Sequence, residues 1–209
     1  MERPLARELL IRQSQKYTLT MPELPELDAI ADILTAKLAG RTVQRATVHN
    51  HIVVYGAPPD RLEHVLTRKT VRLFRADGKF VLMDTEAGVL VINPMLTGRF
   101  SFSWRARSAR QADMVSLDFD EVSLWYSDRK RMGRVYYVES GDFSVVAGFL
   151  DRGPSPMDPE LTLEMFTSRI RRHNGQVKSV LRNQRFVKGI GNVYADEILL
   201  YAGIIPFRL

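Results

Sequence analysis

The sequence contains no cysteine among its 209 residues, which excludes disulfides and any cysteine-ligated metal centre within it. It has no apolar run near the roughly 18 residues that a membrane-spanning helix requires, so the expectation is a soluble chain with no membrane partner. Residues 1–20, MERPLARELLIRQSQKYTLT, lack the continuous hydrophobic stretch of a signal peptide. No internal repeat or low-complexity tract is present. Acidic residues are missing from one region in particular. Between Arg169 and Lys188 stand Arg169, Arg171, Arg172, Lys178, Arg182, Arg185 and Lys188, with no Asp or Glu among them. Over the whole chain 30 Lys and Arg face 24 Asp and Glu, a formal net charge of +6, so the excess is clustered and favours a polyanionic partner. A 45% hydrophobic content is enough to bury a core of one or two domains.

What is present reads as a β-rich half followed by a helical half. Leu27, Ile30, Ala31, Leu34 and Leu38 recur at helical spacing, and Gly40 ends the run. Residues 42–49 and 52–55 read as strands and 58–66 as a short helix. Residues 70–76 and 80–85 flank Asp77-Gly78, a strong hairpin signal. Further strands are expected at 88–93, 99–103, 114–119, 122–127 and 134–138. Residues 150–160, with three prolines and a glycine, read as a linker. Helices are expected over 161–173, 177–184 and 193–202. The fold class is therefore α+β, an N-terminal β-sandwich flanked by helices and then a C-terminal helical domain.

Two stretches carry chemistry. The first is Met21-Pro22-Glu23-Leu24-Pro25-Glu26. If the chain begins at Met21 and the methionine is removed, Pro22 becomes a free secondary amine, and an α-amino group titrates near about 8, far below lysine. It could then attack a sugar carbon to form an iminium, with Glu23 handling protons. Behind residues 1–20, the same nitrogen is a planar tertiary amide without a basic lone pair. An upstream mis-assigned start is the favoured reading. Structurally, Pro25 and the acids also suit a first helical turn.

The second stretch runs from Lys178 to Pro206. Gly189-Ile190-Gly191-Asn192 joins two helices, and the N–H groups opening the second are expected to point outward, ready for a phosphate. Asn192 is expected as the N-cap, able to donate to a phosphate oxygen. Read blandly, the glycines only turn the chain and the basic face is solvated.

Both stretches resemble the formamidopyrimidine-DNA glycosylase and endonuclease VIII family of DNA repair enzymes, over roughly residues 21–206. The resemblance implies that Pro22 is the nucleophile, Glu23 the acid/base, and Lys79, just past the Asp77-Gly78 turn, a phosphate-holding catalytic lysine. Glu26 would support the N-terminal helix. Residues 178–206 look like the family's helix–two-turn–helix, in which Lys178, Gly191 and Asn192 grip backbone at the lesion. Asn93 and Leu96 stand where the family usually has histidine and a methionine wedge. Lys130, Arg131 and Met132 lie in the loop that faces the orphaned base, and Lys130 cannot reproduce the planar fork of the usual arginine.

The resemblance implies an extension (1–20), a catalytic β-sandwich domain (21–150) and a helix–two-turn–helix DNA-binding domain (151–209). It further implies a monomer acting on damaged double-stranded DNA in the cytoplasm, at the nucleoid. Excision of an oxidised base would be followed by strand scission through β- and δ-elimination, with no cofactor. The cysteines that ligate zinc in the family's zinc finger are missing from this sequence, so no metal is expected, and a truncated product is expected. A catalytically silent damaged-DNA binder is the alternative.

Overall fold

The computed structural model describes residues 22–139 and 141–208; the expected extension, residues 1–20, lies outside the described residues. Helix α1 (Leu24–Leu38) opens with Pro25 in its first turn, where the missing N–H costs nothing. It buries Leu27, Ala31, Leu34 and Leu38, the expected stripe. The Thr35 hydroxyl fixes it to strand β3 (Val71–Asp77), donating to Phe74 O at 2.9 Å and accepting from Phe74 N at 2.7 Å.

The remaining strands are β1 (Arg45–Val48), β2 (Val54–Tyr55), β4 (Phe80–Thr85), β5 (Val89–Asn93), β6 (Gly98–Ser103), β7 (Asp113–Asp118), β8 (Ser123–Asp128) and β9 (Arg134–Val138). One sheet has the order β1-β7-β8-β6 and the other β2-β9-β5-β4-β3. Residues from both, among them Met114, Leu117 and Leu124 against Val81, Met83 and Leu90, share one apolar core with α1 and helix α2 (Pro59–Leu66), so the sandwich is as expected. Strand β4 reads as continuous apolar sequence because it is covered on both faces. Val81 and Met83 face the shared core, while Phe80 and Leu82 face a second cluster with Val146 and Phe149. The first half of the expected strand at 52–55 is a 3₁₀ turn, His51–Val53, whose start the Asn50 side chain caps by accepting from Ile52 N at 3.2 Å, and the second half is β2.

The C-terminal part comprises α3 (Leu163–Ile170), α4 (Val177–Leu181) and α5 (Asn192–Tyr201). These close over their own apolar cluster of Val180, Leu181, Phe186, Val187, Ile190, Ala195 and Leu199. The 150–160 stretch is irregular but is not loose at its start. Gly153 N–H donates to Gln184 O at 2.8 Å, and Lys188 N–H donates to Pro154 O at 3.0 Å. Among the described residues no helix is long and apolar enough to cross a membrane.

Candidate active site

Glu23 is the N-cap of α1, yet its carboxylate serves another helix. Oε2 accepts from Gly191 N–H at 2.6 Å and Tyr194 N–H at 3.2 Å, and Oε1 accepts from Val193 N–H at 2.8 Å. A buried carboxylate therefore occupies the positive end of α5, where dipole and N–H groups both favour an anion. Leu24 N–H adds a bond to Gly189 O at 3.1 Å. Glu26 closes the return path, accepting from Glu23 N–H at 3.1 Å and from the Tyr194 hydroxyl at 3.4 Å. Pro22, half-buried, is thereby held at the junction of α1 and the 189–194 turn.

Two expectations change here. The N-cap of α5 is Gly191, and Asn192 is the first helical residue, with an exposed side chain. The N–H groups expected to be open for a phosphate at Gly191, Val193 and Tyr194 are donated to Glu23 instead. A Cβ at Gly191 would overlap the Glu23 carboxyl group, so this glycine is required by the protein's own carboxylate.

Lys79 follows the tight turn between β3 and β4 and is half-buried. Burial pulls its ammonium below the ordinary lysine value, Arg182 adds to the fall, and the Glu23 carboxylate opposes it. Glu23, Lys79 and the helical hairpin thus share one electrostatic neighbourhood. No carboxylate or carbonyl among the described residues lies within hydrogen-bond reach of the Lys79 ammonium, and such an unsatisfied cation is suited to an incoming anion.

Strand register brings the remaining candidates to the same end of the sheet. Val81 pairs with Ile92 and Asn93 with Arg134, so the Lys79 turn, residues 93–98 and residues 128–134 lie side by side. The Asn93 side chain accepts from Met95 N–H at 3.2 Å, shaping the turn that presents half-buried Leu96. Thr97 Oγ1 donates to the fully buried Asp128 carboxylate, which also accepts from Lys130 N–H at 3.1 Å and Gly133 N–H at 2.7 Å. This bridge joins the two loops and leaves Lys130, Arg131 and Met132 exposed. Thr97 and Asp128 carry no chemical signature in sequence; only their contacts reveal them.

The basic run is less open than its composition implies. Lys178 pairs with Asp196 at 2.7 Å, Lys188 with Asp77 at 2.6 Å and Arg185 with Asp151 at 3.1 Å, while Arg169 donates to the carbonyls of Arg185 and Phe186. Arg171, Arg172 and Arg182 stay exposed. A cavity of about 660 Å³, lined in part by His49, Trp104, Arg107 and Trp125, lies on the other sheet and includes none of the candidates. There Arg107 pairs with Asp113 and His49 with Ser116. No set of three or more His, Asp or Glu among the described residues is arranged to hold a metal ion.

Residues 21–135 match the formamidopyrimidine-DNA glycosylase N-terminal domain, and residues 152–209 match the H2TH domain of the same enzymes. The chain is 32% identical over 190 residues to a formamidopyrimidine-DNA glycosylase of Moorella thermoacetica, covering 90% of this chain and 69% of the relative. Identity to the Solibacter usitatus enzyme is 34% over 190 residues, covering 90% and 68%. A crystal structure of the Lactococcus lactis enzyme in complex with DNA containing an abasic site superposes with a TM-score of 0.80 at 25% identity, over 89% of this chain and 70% of that one. Both family domains are matched in order over most of the sequence, and the chain belongs to the formamidopyrimidine-DNA glycosylase family.

Proposed function

We propose that this protein is a bifunctional DNA repair enzyme, excising oxidised bases and then cutting the strand at the resulting abasic site. The observation that carries the reading is convergence. The segment headed by Pro22 and the helical-hairpin turn are joined by the Glu23 carboxylate, whose charge also acts on the Lys79 ammonium, although the three lie in distant parts of the sequence. Relatives bearing the glycosylase name, one of them complexed with abasic-site DNA, support the same substrate class.

In this mechanism the chain begins at Pro22. The Pro22 nitrogen attacks C1′, its lone pair forming the C–N bond as the bond to the base breaks and the base leaves with a proton. The nitrogen then loses its one proton, and its lone pair forms the C1′=N bond as the C1′–O4′ bond breaks and O4′ takes a proton from Glu23, giving the ring-opened iminium. The iminium withdraws electrons from C2′, so loss of a C2′ proton expels the 3′-phosphate by β-elimination, and δ-elimination expels the 5′-phosphate. Glu23 exchanges protons with the sugar, and Lys79 pairs with a phosphate beside the damaged nucleotide. Leu96 and Met132 fill the space vacated by the extruded nucleotide, and Lys130, Arg131, Lys178 and Asn192 hold backbone. No cofactor enters these steps. The protein acts as a monomer on damaged duplex DNA in the cytoplasm, with residues 21–150 and 151–209 as its two working domains.

Borohydride trapping on an abasic-site duplex tests this reading. The chain started at Pro22 cross-links, and the chain retaining residues 1–21 does not. Absence of a cross-link with the Pro22 form, while both forms still shift the duplex in a gel, identifies a silent binder and overturns the lyase assignment.

A further inference from the structure

Asp77 stands one residue before the Gly78–Lys79 turn and receives two cations from distant parts of the chain. Lys188 Nζ lies 2.6 Å from Oδ1 and Arg152 Nη2 lies 2.9 Å from Oδ2. Arg152 also donates through Nη1 to Asp77 O at 2.7 Å and through Nε to Phe149 O at 2.5 Å. Its guanidinium lies 3.6 Å from the centre of the Phe149 ring and 5.3 Å from that of Phe80, with the side chain only 8% exposed. One carboxylate thus joins the Lys79 turn, the 149–154 segment and the residue that precedes Gly189.

A cluster this buried is a weak source of net stability, because desolvation offsets much of its Coulomb energy. Its geometric effect is definite. Residues 188–194, whose Lys188 grips Asp77, also hold the other reactive arm, through Gly189 O to Leu24 and through Gly191, Val193 and Tyr194 to Glu23. Lys79 and Glu23, from elements more than fifty positions apart, are referenced to the same seven residues. We infer that Asp77, Arg152 and Lys188 are positioning residues that fix the Lys79 turn against the 188–194 turn, and so set the Lys79 ammonium relative to Pro22 and Glu23. Lys188 is then a strut between the two halves of the site, not a ligand for DNA phosphate. A small displacement of a reacting group is enough to slow chemistry while binding persists.

The kinetic consequence rests on the lyase reading; the mechanical one does not. The test therefore has two arms, applied to the Pro22-started chain and its Asp77→Asn, Lys188→Met and doubly substituted forms. In amide hydrogen exchange, each single substitution accelerates exchange in both 77–80 and 187–194, and the double adds little to the worse single. In single-turnover trapping on an abasic duplex, each single slows the reaction about tenfold, while affinity and its salt dependence stay at the wild-type level. Exchange confined to the substituted segment, or fully additive effects, overturns the inference. So does a Lys188→Met form that traps at the normal rate but binds more weakly, with a salt slope reduced by about one contact. If the unsubstituted chain does not trap at all, the lyase reading fails, and the exchange arm alone decides the positioning role.

Discussion

Replacing Gly191 with alanine is the most discriminating single change the site allows. Its φ of −118° is negative, so the substitution does not require a left-handed backbone. The new methyl group would overlap the Glu23 carboxyl group, which must swing away. Three N–H···O bonds, at 2.6, 2.8 and 3.2 Å, are then lost. Hydrogen bonds to a charged group contribute about 1.5–3 kcal/mol each, but the freed N–H groups of this partly exposed helix end regain water, which brings the net loss to about 3 kcal/mol. For a chain of this size that lowers Tm by about 6–12 °C. Thermal or urea unfolding of a double-mutant cycle with Glu23→Ala checks the cause. With Glu23 truncated there is nothing to displace, so Gly191→Ala becomes neutral within about 0.5 kcal/mol. An equal cost in both backgrounds, or no cost in the wild type, refutes the latch between α1 and α5.

Lys79→Met abolishes strand scission yet raises Tm by up to about 3 °C, because it removes a half-buried cation with no hydrogen-bonded partner among the described residues; scission assays and calorimetry at pH 7 check both halves. Asp113 is held at about 2 by its Arg107, Ser127 and Arg110 N–H contacts against the upward push of burial. A carboxyl lowered in the folded state adds stability that is complete above its unfolded value and lost as pH falls through the folded one. Asp113→Asn should therefore cost about 2 kcal/mol at neutral pH, with the difference from wild type vanishing between about pH 4 and pH 2 in urea titrations. Asp196→Asn releases Lys178 and should steepen the salt dependence of duplex binding by about one contact, whereas Glu197→Gln, next along the same helix, should leave it unchanged.

What could be read from the sequence was local. The apolar stripe of α1, the Asp77-Gly78 hairpin and the two motif stretches depend on residues within a few positions of one another, and all lie where periodicity and turn chemistry put them. The errors are long-range. Asn192 has the right chemistry for an N-cap, but Glu23, 169 positions earlier, supplies the carboxylate that satisfies the start of α5. Lys178, Arg169 and Lys188 look like free charge until the fold brings them Asp196, two backbone carbonyls and Asp77. Arg152 sits in a stretch whose prolines suggest only a linker, and no local pattern announces that it anchors the Lys79 turn through Asp77. Composition reports how many cations a segment holds; only the fold reports how many already have partners.

The proposed function makes the Pro22 nitrogen the reactive amine, with Glu23 and Lys79 assisting it. Its most direct test is to reduce the complex of the Pro22-started chain with an abasic-site duplex, digest it and locate the sugar remnant by tandem mass spectrometry. The added mass is expected on the Pro22 nitrogen. Finding it on Lys79, or on any other lysine side chain, would rule out Pro22 as the nucleophile.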